Sequence, residues 1–177
     1  IIQHLAQRHR VDLVTFLAPG ERLSAGSPLH ALCRRVVTLP QPLRPLAHRL
    51  RDTLLSPLPD MALRLEDPAM HRTVQSLIAA QPYDILQVEG IELVQYARHA
   101  LPNVHSTARS SARPSTPIVF DDHNCEYLLQ QRAAQADLRT PRRWHAAAYS
   151  LVQTQKLRRY EAAACRSATA VIAVSHP

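Results

Sequence analysis

The stretch PIVFDDHNCEY, residues 117–127, decides how the rest of the chain is read. Ile118 to Phe120 are apolar and β-prone and run straight into Asp121, Asp122, His123 and Asn124, after which Glu126, Tyr127, Leu128 and Leu129 read as a helix start. A buried strand that ends in polar residues and hands over to a helix is the signature of an open α/β sheet, whose crevice lies at the carboxyl ends of its strands. His123 stands where such a sheet presents its ligand-facing groups, and imidazole can take or give a proton near neutral pH. The same run is also ordinary turn chemistry, with Asn124 capping the helix and Glu126 favoured by the helix dipole.

Working outward, strands and helices alternate. Arg10 to Ala18 (RVDLVTFLA), stopped by Pro19-Gly20, reads as a buried strand. Ser27-Pro28 opens a short helix to Arg35, and Val36 to Leu39 is a second strand ended by Pro40. Between Gln41 and Glu66 four prolines break the pattern, but Leu43, Leu46, Leu50 and Leu54 recur at helical spacing. That leucine stripe is expected to lie on the sheet, with a cleft wall or a membrane-touching helix as the alternative. Asp67-Pro68 starts a helix to about Gln81, Tyr83 to Glu89 is the third strand closed by Gly90, and Ile91 to Ala100 is again helical. Residues 104–116 form a Ser/Thr/Arg-rich loop. Asn124 to about Ala136 is the next helix, Thr140-Pro141 opens the longest one, and Ala168 to Ser175 is expected as a fifth buried strand.

Composition narrows the function. At 177 residues and 46% apolar content the chain has enough material for a continuous core. The opening IIQHLAQR reads as the end of a helix, so the chain is expected to be cut at both ends. Cys33, Cys125 and Cys165 are widely spaced with no CxxC, and the ten histidines form no HxxxH or HExxH pattern, so no metal is expected. Three glycines exclude a dinucleotide-binding GxGxxG loop and a P-loop. The net charge is +7, all but one of the basic residues are Arg, and residues 139–166 carry seven basic residues against Glu161 alone. With Trp144, Tyr149 and Tyr160 nearby, that segment suits an anionic lipid or phosphate surface, or is simply a solvated helix face.

The order of VFDDHNCEYLLQQR, then KLRRYEAAACRSATAVIAVS, resembles the N-terminal domain of a GT-B glycosyltransferase of the glycosyltransferase family 4 type over residues 117–175. The resemblance implies an α/β, Rossmann-like, doubly wound and mainly parallel sheet with helices on both faces. It is incomplete here, because the family's first strand and the glycine-rich loop after it have no counterpart. Residues 1–177 would then be the acceptor-side domain, the C-terminal nucleotide-sugar domain lying outside this chain. The implied activity is retaining transfer of a sugar from a nucleotide-sugar to a saccharide or lipid-linked acceptor, with no cofactor and no metal. On this resemblance His123 is the catalytic residue and Glu89, Gly90, Asp122 and Asn124 face the acceptor, while Glu126, Tyr127 and Ser175 support the motif. The implied partners are a sugar acceptor, a nucleotide-sugar held by the other domain and an anionic membrane surface through 139–166, with no nucleic acid, in a cytoplasmic, peripheral-membrane setting. The alternative is a basic α/β module that binds nucleic acid or an anionic membrane.

Overall fold

Every strand pair among the described residues is parallel, but the strands form two sheets rather than one. The computed structural model describes residues 1–100 and 116–174. The loop expected at 104–116 falls almost wholly outside the described residues, as does Ser175. Two units are present, Ile1–Leu43 and Arg44–Pro177.

In the first unit, helix α1 (Ile2–Leu5) precedes strand β1 (Asp12–Leu17), and the short helix α2 (Leu29–Leu32) crosses over to β2 (Arg35–Pro40). The two strands pair in register from Asp12 opposite Arg35 to Leu17 opposite Pro40. Asp12 also holds Arg34 in a bidentate pair, at 2.8 and 2.5 Å. The strand expected to be buried is only half-buried along its whole length. A two-stranded sheet with short helices supplies little covering surface, and Cys33 is the buried hydrophobic residue of this unit.

The second unit carries helices α3 (Leu46–Leu55), α4 (Asp60–Arg64) and α5 (Pro68–Ala80), then β3 (Leu86–Glu89), α6 (Val94–Ala100) and β4 (Ile118–Asp121). Helix α7 (Glu126–Leu138), a 3-10 turn at Pro141–Arg143, helix α8 (Trp144–Ser167) and β5 (Ala170–Ile172) follow. The strand order is β3-β4-β5, with β4 central. Its inward residues Ile118 and Phe120 join Val88, Ile91, Val94, Leu157, Tyr160 and Ala164 in one core cluster. Helix α5 begins as the Asp67-Pro68 pair dictates: the Asp67 carboxylate accepts from the N–H groups of Ala69 and Met70 at 2.5 and 3.4 Å. Contacts of Tyr127 with Glu161 and of Gln130 with Ser150 run in opposite chain directions, so α7 and α8 pack as an antiparallel pair.

Two expectations are corrected here. The fifth strand is exposed, with Val171 and Ile172 at 42% and 43%, because it is the sheet edge and pairs with β4 alone. The leucine stripe does not lie on the sheet either: Leu46, Leu50 and Leu54 of α3 are 66%, 56% and 82% exposed. Helix α3 is held by its polar side instead. Asp60 accepts from Arg44 at 2.6 Å and from Arg49 at 2.9 Å, while Lys156 of α8 donates to the carbonyls of Asp52 and Thr53. Ion pairs and carbonyl contacts fix which face of α3 turns inward, and the leucines are left outward. No helix among the described residues is long and apolar enough to cross a membrane.

Candidate functional site

The carboxyl ends of β3 and β4 lie side by side, with Glu89 opposite Asp121 in the parallel register. Just beyond them Gly90 donates its N–H to the carbonyl of Asp121 at 3.1 Å, and Asp122 donates to the carbonyl of Ile172 at 2.9 Å. The ladder therefore continues past the strands and clamps the 121–123 turn from both sides. A cavity of about 390 Å³ opens there, lined by Gly90, Ile91, Glu92, Asp122, His123, Asn124 and Glu126, with Met61 and Arg64 from α4 closing one side. This is the position at which open parallel sheets bind ligands.

Gly90 is the residue that lets the wall come together. Its φ is +85°, a left-handed conformation that side-chain-bearing residues rarely adopt. A Cβ there would stand 3.1 Å from Glu92 Oε2 and 3.7 Å from His123 Cε1. His123 itself is half-exposed, with Nδ1 3.8 Å from Asp121 Oδ1. Asp121 is buried at 5% exposure, and its Oδ1 has no hydrogen-bond partner among the described residues.

The cavity is rich in carboxylates. Burial, reinforced by the neighbouring charge of Glu161, pushes the Asp122 carboxyl up to about 6, against the opposing pull of His123. Burial and the charge of Glu92 also raise Glu126, which Asn124 partly offsets by a side-chain hydrogen bond. Arg64 is already engaged by Glu92 through a charge-assisted hydrogen bond, so the wall offers little free positive charge. Such a lining accepts hydrogen bonds from hydroxyl groups better than it holds an anion.

Of the residues singled out from the sequence, Gly90, Asp122, His123, Asn124 and Glu126 share this cavity. Glu89 lies at the adjacent strand end, exposed and accepting from Gln87 at 2.5 Å. Tyr127 packs against the core instead of lining the cavity, and Ser175 lies outside the described residues. Asn124 does not cap α7. The N-cap is Cys125, whose side chain makes no capping bond, and the Tyr127 N–H is satisfied by Glu161 Oε2 at 3.2 Å. A capping carboxylate brought in from another helix removes the need for a local one. Arg64 and Glu92 were missed from sequence. Arg64 sits in the proline-broken segment, and the only local hint of Glu92 was a second acidic residue just past Gly90.

Compared with protein-family models, with curated proteins and with solved structures, the chain gives no match.

Proposed function

We propose that this chain is the acceptor-side domain of a GT-B glycosyltransferase of the family 4 type, with a Rossmann-like sheet and retaining transfer from a nucleotide-sugar. The observation that carries the reading is the arrival of His123, Asn124 and three carboxylates, Glu92, Asp122 and Glu126, in one cavity at the carboxyl edge of parallel strands. A saccharide needs fixed hydrogen-bond partners in a crevice, and charge developing at the transferred carbon needs a preorganised polar wall. In this reading His123 stands beside the transferred sugar, Asp122, Asn124 and Gly90 line the acceptor's path with Glu89 at its rim, and the nucleotide-sugar is held by a second domain. Transfer needs no metal.

The setting is cytoplasmic and peripheral to a membrane. The exposed leucines of α3 offer an apolar face, and Arg139, Arg142, Arg158, Arg159 and Arg166 are exposed along the basic segment.

Saturation-transfer NMR with a panel of neutral saccharides and nucleotide-sugars tests the assignment. The 177-residue chain should take up an acceptor saccharide, His123→Ala and Glu126→Gln should each weaken that binding, and nucleotide-sugars should give no signal. Turnover of a nucleotide-sugar by this chain alone, or saccharide binding indifferent to both substitutions, would refute it.

A further inference from the structure

We propose that Glu89, Asp121 and His123 form a binding site for a divalent first-row transition-metal ion, of the Zn²⁺ or Mn²⁺ kind. Their ligand atoms, two carboxylate oxygens and an imidazole nitrogen, all lie within 4.8 Å of one another. The β3–β4 register sets Glu89 beside Asp121, and the following turn brings His123 back over both. Three donors gathered from two strand ends and one turn leave the remaining coordination positions to water, with the half-exposed His123 ring marking the way in.

An independent observation points to a ligand at the same place. The Asp121 side chain is 8% exposed, yet Oδ1 has no hydrogen-bond partner among the described residues. A buried carboxylate oxygen left unsatisfied is costly, and native structures rarely tolerate one without an ion, a water or a function. His123 Nδ1 stands 3.8 Å from that oxygen, too far for a hydrogen bond, and an Asp121 carboxylate oxygen lies within 4.8 Å of ligand atoms of both Glu89 and His123. A dication held there satisfies Oδ1 and balances two adjacent carboxylates at once. Mixed oxygen and imidazole donors suit Zn²⁺ or Mn²⁺ better than Ca²⁺, which prefers oxygen alone. Gln87, donating to Glu89 Oε1 at 2.5 Å, supplies the outer hydrogen bond that orients a ligating carboxylate.

The inference goes beyond the transferase reading, which calls for no metal, and its test reads metal binding alone, so either can fail without the other. MnCl₂ is titrated into the intact 177-residue chain and free Mn²⁺ is followed by electron paramagnetic resonance, with ZnCl₂ as competitor. The expected result is one saturable Mn²⁺ per chain, displaced by Zn²⁺ and weakened at least about tenfold by either Glu89→Gln or His123→Gln. Glu89 is exposed and the His123 side chain half-exposed, so these variants should fold, and circular dichroism checks that they do. No Mn²⁺ uptake up to about 1 mM, or an affinity unchanged in the Glu89→Gln/His123→Gln double variant, overturns the proposal.

Discussion

Glu161, buried within α8, accepts a hydrogen bond from the backbone N–H of Tyr127 at 3.2 Å and so caps the N-terminus of α7 from a different helix. Cys125, the N-cap residue of α7, makes no side-chain cap of its own. One carboxylate therefore ties the helix pair together and fixes where the turn that carries His123 ends.

Replacing Glu161 with alanine should lower stability by about 1–2 kcal/mol, the ordinary cost of losing a helix cap. Glu161→Gln, which keeps an acceptor oxygen, should recover part of that loss. Urea denaturation of the two variants checks the ranking, and an alanine variant as stable as the wild type would show that the cap contributes nothing.

Gly90→Ala should be destabilising by about 1–2 kcal/mol, because the left-handed backbone at +85° is strained for any residue with a Cβ. The added methyl also meets Glu92 Oε2 at 3.1 Å, so the cavity wall has to shift. Thermal melts measure the first effect. Chemical-shift changes confined to Glu92 and His123 report the second.

His71 of α5 packs its ring 4.4 Å from Tyr96 and 4.9 Å from His99. Burial, with the charge of His99 adding to it, depresses its pKa below the ordinary value of 6.5, while Glu66 and Asp67 pull the other way. In the window below 6.5 the unfolded chain binds more protons than the folded one, so stability rises with pH there. The contribution is complete above 6.5 and is lost as pH falls through the depressed value. Urea melts between about pH 5 and pH 7 should show this slope for the wild type, and His71→Phe should flatten it. An identical slope in the variant would place the titration elsewhere.

Read from the chain alone, local order was largely legible. Apolar runs ended by proline or by acidic residues located β1 to β4, the apolar run after α8 located β5, and the Asp67-Pro68 pair located the start of α5. The run from Asp121 to Glu126 marked the site region for the same reason: strand end, turn and helix start are short-range features, set by neighbouring residues. Helix α4 was not legible, because prolines at 57 and 59 hide a short helix whose stability comes from Asp60 and its two arginines.

What only the tertiary structure decided was which face of each element is covered and which distant groups meet. The α3 leucines obey a core-like spacing, yet ion pairs made with Asp60 and carbonyl contacts made by Lys156 turn them outward. Arg64 and Glu92 reach the cavity of His123, and Glu161 reaches the start of α7, across separations that no periodicity encodes. Periodicity reports the spacing of apolar groups along one element, whereas burial depends on the partner surface that long-range hydrogen bonds and charges bring against it.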